Sequence, residues 1–476
     1  MIKKLLYKNI VTITVVISFT VFVSWFLHDP VKHLTQSVPG LDNRPDSISG
    51  VREKVNIGED FESFTSETSE LTDTWTRFRG SDFDNIKKNS VKLISKFGNE
   101  DPKIRWSVEL GEGHAAPVVY NGKVYLLDYV EDKKSDVLRC FSLESGKELW
   151  QRGYKIHVKR NHGMSRTVPA ISENYIVTMG PMGHVMCSNP KNGDFLWGIN
   201  LEKDYAAEIP FWYTGQCPLI DNDTAIFAPG GKSLMIGVDC ATGKIVWETP
   251  NPDKWQMSHS SIMPMNFGGK KMYVYAAIGG ICGISAEGDD KGQLLWKTTD
   301  FAPSVVAPSP LILNNGKILV MAGYGAGAIL IQLTKTNNTF SVKTLEKYKP
   351  KKGIASEQQT PILFNKNIFT ILPKDAGSKR NQFVCSSVDD CTKILWTSGK
   401  TDRFGLGPYV IADGKFFILK DDGTLTIAKA STSKFTVLDK KRIIEGQDAW
   451  GPIAIADGYL LMRDSKKMVC VDIRMR

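Results

Sequence analysis

Ala241-Thr242-Gly243-Lys244-Ile245-Val246-Trp247 decides the fold, because the chain keeps returning to it. ESGKELW ends at Trp150, KNGDFLW at Trp197, DKGQLLW at Trp296 and DCTKILW at Trp396. Before each copy stands a short apolar run opened by a small residue and a proline. These openings fall at Pro117, Pro169, Pro218, Pro310, Pro361, Pro408 and Pro452, with Ile262 in the equivalent place of SSIMPM. From Pro117 to Pro452 there are 335 residues in seven steps, about 48 per step. A repeat of that length marks a solenoid, a propeller or an array.

One unit reads PVVY, NGK, VYLLDY, a charged loop, LRCFSL, ESGK, ELWQ. Short β-rich runs separated by Asn-Gly or Gly-Lys are hairpins, since those residues accept the positive φ that tight turns require. Four strands per unit, repeated radially, make a propeller blade. No segment after residue 100 keeps a 3.6-residue period for three turns, which excludes a helical solenoid. The predicted fold is all-β, an eight-bladed propeller. Trp106, Trp150, Trp197, Trp247, Trp296 and Trp396 are expected to pack as apolar plates between neighbouring blades. In the fifth and seventh units TFSVKTL and KFTVLDK replace the Trp strand. The last unit stops after its third strand, while KIRWSVEL (Lys103–Leu110) is a Trp strand with no blade before it. Pairing the two closes the ring and removes its exposed edges.

The N-terminus has a different character. Lys3, Lys4 and Lys8 precede an apolar run, Ile10–Leu27, that as a helix is about 27 Å long, enough to span a bilayer. No Ala precedes Ala115 and no Cys precedes Cys140. An Ala-x-Ala cleavage site and a lipidated N-terminal cysteine are both excluded. Residues 1–27 therefore read as a signal-anchor with its lysines inside; a signal peptide cut at Ser or Gly is the alternative. Residues 28–74 read as a disordered acidic tether, with six acids and no base between Glu59 and Asp73. The propeller is expected over 75–476.

The net charge of +9 falls on the propeller, most densely at KYKPKKG (Lys347–Gly353). No aromatic residues interleave with a basic stripe and no nucleic-acid motif is present, so a solvated loop is expected and nucleic acid is not. Of the eight cysteines, Cys140, Cys187, Cys385 and Cys470 share one strand position in four blades and are too far apart to bond. Cys385 and Cys391 lie close enough to bond across a hairpin. No C-x-x-C occurs.

The units resemble the PQQ-like (pyrroloquinoline-quinone-like) β-propeller repeats, whose blades end in an LDxxTGKxxW tail; GVDCATGKIVW (Gly237–Trp247) is nearly that. WTRFRGSDFDN (Trp75–Asn85) looks like the W-x-x-F-R-G opening of an exported bacterial group, and AGYGAG (Ala322–Gly327) matches its SGYGTG segments. The resemblance implies either a quinoprotein dehydrogenase, an outer-membrane assembly scaffold, or a member without quinone. The dehydrogenases hold Ca²⁺ on Glu, Asn and Asp, use an Asp as base and cap the quinone with adjacent cysteines. No Cys-Cys exists in this sequence and no Glu/Asn/Asp set maps onto the calcium positions, so no catalytic residue and no metal ligand carries over.

Loops that lead into the innermost strands ring one mouth of a propeller's channel. Just before each opening stand His114, Arg166, Gln216, His259, Gln359, Arg403 and Trp450, with Asp448 nearby. They are the candidate ligand-binding residues, for a small anionic or sugar-like molecule or a peptide segment. AGYGAG leads into the strand ILIQL rather than a helix, so it reads as a hairpin and not a phosphate loop. Met and His gather at HGM, PMGHVM and MSHSSIMPM without a repeated ligand spacing, and Met is a common core filler. The expected function is a membrane-anchored, monomeric binding or scaffold module in the bacterial envelope. It would sit at the inner membrane with the propeller on the periplasmic side, and its envelope partner or small-molecule ligand is unidentified. The alternative is a divergent PQQ- and calcium-dependent oxidoreductase acting on alcohols or sugars.

Overall fold

The computed structural model describes residues 2–28, 55–88, 91–98 and 102–475. Two compact units divide at Lys54/Val55. The first contains one helix, Ile2–Leu27. Its stretch Asn9–Leu27 is long and apolar enough to cross a membrane, as an anchor or as a signal. Within it, the Thr14 and Thr20 hydroxyls donate to the carbonyls of Ile10 and Val16, both at 2.8 Å, so neither polar group asks for water.

The second unit is an eight-bladed propeller of eight separate sheets, antiparallel throughout except where Ile86–Lys87 joins blade 7 in parallel. Blade 1 begins with Val118–Tyr120, blade 2 with Ala170–Ile171 and blade 3 with Leu219–Asp221. Blades 4 and 5 begin with Met263–Phe267 and Leu311–Ile312, and blade 6 with Ile362–Phe364. Blades 7 and 8 begin with Tyr409–Ala412 and Ala454–Ala456. Each innermost strand starts within a few residues of its opening. Asn121–Gly122 and Asp413–Gly414 turn back with φ of 47° and 69°, and 44° and 69°. That pair of positive values is what a two-residue hairpin needs. The ring closes as expected: Ile104–Glu109 pairs antiparallel with Lys467–Asp472, setting Trp106 opposite Cys470.

The recurring tail has two halves that serve different interfaces. In four of the six Trp strands the Trp lies on the outer strand of one blade and covers the turn glycine of the next. A Cβ on Gly146 would stand 2.5 Å from Trp106; on Gly193, 2.8 Å from Trp150; on Gly243, 2.6 Å from Trp197; on Gly292, 2.8 Å from Trp247. The indole N–H of Trp106 donates to the Leu143 carbonyl and that of Trp197 to the Cys240 carbonyl, both 2.8 Å and both across the blade boundary. The outer turns of blades 5, 6 and 7, at Asn337-Asn338, Asp390-Cys391-Thr392 and Ser431-Thr432-Ser433, lack the glycine, although blades 4 and 6 keep their Trp. Within each blade the residue opposite the Trp is small: Cys140, Cys187, Cys385 and Cys470, or Gly237 and Gly283. All eight cysteines are buried and free, Cys385 and Cys391 included.

The segment before the propeller differs from the expected tether. Residues 29–54 lie outside the described residues, but from Val55 the chain is folded against the ring. Asp60–Ser63 adds a fifth, outermost strand to blade 1 by pairing with Glu148–Lys155. The free backbone edge of blade 1 offers hydrogen bonds that even an acidic, weakly apolar segment can take up, which composition alone does not register.

Candidate functional site

Trp75–Lys87 closes one end of the central channel. Trp75 exchanges two backbone hydrogen bonds with Val119 of blade 1, and the Thr76 carbonyl accepts from Ile171 of blade 2. The Arg77 guanidinium reaches the Ile220 carbonyl of blade 3. Arg79, 3 % exposed, donates to the carbonyls of Thr360 and Pro361 of blade 6 at 2.7 and 2.8 Å, and to Phe83 at 2.7 Å. The Asn85 side chain donates to Tyr409, and Ile86–Lys87 pairs parallel with blade 7. Blades 1, 2 and 3 face blades 6 and 7 across the ring, so this strap is a chord through its centre. The Phe-Arg-Gly of the opening motif is thereby explained. Arg79 pins the strap, Gly80 (φ 79°) packs its α-carbon on Trp75, and Phe78 faces the cavity from below.

Above Phe78 the channel is a cup of about 330 Å³, open at the other mouth. Five of the seven predicted positions line it: His114, Arg166, His259, Gln359 and Trp450. His114 is fixed by its own N–H to the Ser165 carbonyl (2.7 Å), and its ring stacks on Trp450 with centroids 3.4 Å apart. The loop carrying it is clamped by Arg463, a fully buried residue that donates to the carbonyls of Gly111 and Ala115. Gln359 spends its amide N–H groups on the Leu406 and Trp450 carbonyls, 3.2 and 3.1 Å away, and so ties blade 6 to blades 7 and 8.

Two positions belong elsewhere. Gln216 is fully buried and points back into blade 3, donating to Ala228 and Tyr275 and accepting from the Ala228 N–H. Its neighbours Gly215 and Cys217 face the cup instead. Alternation along an extended segment sends successive side chains to opposite sides, and counting residues before a proline misses by one which side is which. Arg403 is tied to the carbonyls of Lys400, Arg380 and Ser378, where it staples the outer loops of blade 6.

The structure adds residues that the repeat pattern passes over. Trp212 hangs in a loop launched by the short helix Leu201–Tyr205, whose first turn is capped by Asn200. Thr214 pins that loop to the carbonyls of Gly180 and Pro181. Tyr324 is the only side chain of size in AGYGAG, and the turn holds it at φ 55°. The segment is indeed a hairpin, between Lys317–Ala322 and Gly327–Thr336. Tyr324 stacks on Trp212 at 5.6 Å and 17°, and the Lys374 ammonium lies 5.0 Å from its ring centroid. Lys374 is paired with Glu357 at 3.2 Å. An exposed aromatic in a glycine-rich turn was the available signal for Tyr324.

The charged groups on the cup wall are Arg166 and the Lys374–Glu357 ion pair. Burial, with the field of Arg463 and Arg166 behind it, lowers His114 to about 2; burial and Arg166 lower His259 to about 4. Both rings are therefore neutral near pH 7. Burial also brings Arg166 down to about 10, which leaves it charged, and pushes the Cys217 thiol up to about 11. Among the described residues no side chain is hydrogen-bonded to His259, so that ring is not paired with a nucleophile.

Three comparisons bear on this architecture. A family model described as "Outer membrane protein assembly factor BamB" matches residues 90–209 and 133–390, more than half of the sequence. The chain belongs to the PQQ-like β-propeller family. No curated protein sequence matches it. Among solved structures, BamB from Moraxella catarrhalis is 11 % identical, with a TM-score of 0.52 over 78 % of this chain and all of that one. The computationally designed Ika8 protein is 11 % identical, with a TM-score of 0.51 over 78 % of this chain and 99 % of that one. A europium-containing methanol dehydrogenase is 12 % identical, with a TM-score of 0.55 over 84 % of this chain and 89 % of that one. At such identities these likenesses establish the PQQ-like propeller fold alone.

The cup's donors do not fit the calcium-and-quinone arrangement of the family's dehydrogenases. Its one lining carboxylate, Glu357, is neutralised by Lys374, and its one thiol, Cys217, has no adjacent cysteine. Among the described residues no three His, Cys, Asp or Glu side chains gather in a metal-holding geometry. Five of the six methionines of the Met/His clusters, Met164, Met186, Met257, Met263 and Met265, are buried core residues, and Met182 is half-buried.

Proposed function

We propose that this chain is a membrane-anchored binding or scaffold module of the bacterial envelope, with the helix in the inner membrane and the propeller on the periplasmic side. The cup carries this reading. It is sealed by the protein's own strap at one mouth and open at the other, and it is lined by fixed polar and aromatic groups without a paired nucleophile and base. A volume of about 330 Å³ is in the range of small-molecule sites. Lys3, Lys4 and Lys8 before the apolar stretch support the orientation. The propeller is expected to act as a monomer.

A second reading, a divergent PQQ-dependent oxidoreductase, draws on the fold shared with the methanol dehydrogenase. The two are separated by turnover. Detergent-solubilised full-length protein is incubated with PQQ, with and without Ca²⁺, then with alcohols or sugars and an acceptor dye. The binding reading expects no dye reduction above a protein-free control, together with site-specific photo-crosslinks from the cup rim to envelope components in cells. Dye reduction that depends on bound quinone and is lost in a cup variant would replace the binding reading by the enzymatic one.

A further inference from the structure

Among the described residues, ten buried side-chain nitrogen or oxygen atoms have no hydrogen-bond partner, and four of them belong to three residues that line the cup. They are the Nδ1 of His114, the Nε of Arg166 and both ring nitrogens of His259. Buried polar atoms are nearly always satisfied, so such a cluster in one cavity points to a ligand.

Arg166 sets the sign of that ligand. Its Nη2 donates to the carbonyls of Asn161, His162 and Gly163 at 2.8, 2.7 and 3.3 Å, which locks the guanidinium in place. No carboxylate balances it; the groups that act on its charge are burial and the phenols of Tyr213 and Tyr324. Among the described residues Arg463, behind His114, meets only carbonyls, whereas other cations have carboxylate partners. Arg139 is held by Asp128 and Glu148, Arg160 by Glu112, and Lys374 by Glu357. A desolvated cation without a counterion is costly. Flat apolar area stands beside these groups: the Trp212–Tyr324 stack, with the Trp212 ring 6.2 Å from that of His259, and Phe78 on the lining.

We infer that the cup is a metal-independent site for a small organic carboxylate with a flat apolar body. Arg166 and His259 take the carboxylate, and the Trp212–Tyr324 wall takes the ring. This rests on the binding reading above and gives it a ligand class. Arg166 donates its free Nε–H, and neutral His259 donates whichever ring N–H faces the anion. His114, 4 % exposed, offers Nδ1 beneath them.

The test compares naphthalene-2-carboxylate with naphthalene-2-carboxamide by calorimetry on the full-length protein in detergent with chelator present. The carboxylate is expected to bind about 30-fold more tightly, the value of one or two charge-assisted hydrogen bonds. Arg166→Gln should reduce that preference to roughly threefold or less. Because Arg166 also holds the 161–163 loop, His259→Leu is the second variant; it leaves that loop alone and should lower the preference about fivefold. Equal affinity for the two probes, or a requirement for added Ca²⁺, overturns the inference. So does failure of the carboxylate to bind at about 10 mM, a concentration that would reveal even millimolar affinity. None of these outcomes touches the crosslinks to envelope components, so the carboxylate site and the binding module can fail separately.

Discussion

The two halves of the repeated tail make a quantitative prediction about blade boundaries. Gly243 sits at φ 71°, and a Cβ there would meet Trp197 at 2.6 Å. Gly243→Ala therefore carries two costs: about 1 kcal/mol for a left-handed alanine, and roughly 1–3 kcal/mol for overpacking the indole. Gly414 isolates the first cost, since it has φ 69° and nothing within 4 Å of its would-be Cβ. Gly414→Ala should thus lose only about 1 kcal/mol. Trp197→Ala removes a large buried plate and its hydrogen bond to Cys240, for about 3–5 kcal/mol. In the double variant the clash has no partner, so Gly243→Ala should again cost only about 1 kcal/mol. Equilibrium denaturation of the four proteins of the cycle and the Gly414 control measures a coupling of about 1–3 kcal/mol. Additivity within about 0.5 kcal/mol would refute the claim that Trp197 reads Gly243 of the next blade.

Three further predictions follow from buried groups. Arg79→Met keeps the bulk of the side chain but strands the carbonyls of Phe83, Thr360 and Pro361; it should cost about 3–5 kcal/mol and expose Trp75–Lys87 to limited proteolysis before the blades unfold. Unchanged strap protection would mean that the chord is not held there. Asp136, 1 % exposed and hydrogen-bonded by Tyr154, is raised by burial from 3.8 to about 7. The folded protein keeps a proton that the unfolded chain releases, so this stabilisation is complete below about pH 4 and lost as pH rises to 7. Asp136→Asn should therefore gain on wild type by up to roughly 4 kcal/mol between pH 4 and 7.5, and by little above; a pH-independent difference would contradict the assignment. Finally, thiol titration of the denatured protein without reductant should count all eight cysteines, whereas six would reveal a Cys385–Cys391 bond.

The architecture was legible in the sequence because a propeller is built from local signals repeated. Strand periodicity, Asn-Gly turns and the Gly243–Trp247 tail are each read within one unit, and repetition multiplies the same evidence around the ring. Even closure could be read, from the surplus strand at Lys103–Leu110 and the missing one after Asp472. The candidate site was legible only in part. His114, Arg166, His259, Gln359 and Trp450 reach the cup because their loops share one place in the repeat. Gln216 and Arg403 share that place too, yet Gln216 alternates into the blade and Arg403 finds carbonyls of its own loop and of the 378–380 loop. Phe78 and Trp212 come from a strap and a loop outside the repeated strands, and Tyr324 from a second-to-third-strand hairpin that every blade has but whose sequence differs from unit to unit, so internal comparison does not expose them. The edge strand Asp60–Ser63 was hidden for a related reason: its composition is that of a tether, and only the unpaired edge of blade 1 makes it a strand. What the sequence determined by itself is what each unit does alone and with its neighbour, since those interactions are short-range and periodic. The tertiary structure decided what happens across the ring. A chord that turns a channel into a cup, and a cation left there without a counterion, depend on distances between segments hundreds of residues apart, which no local pattern encodes.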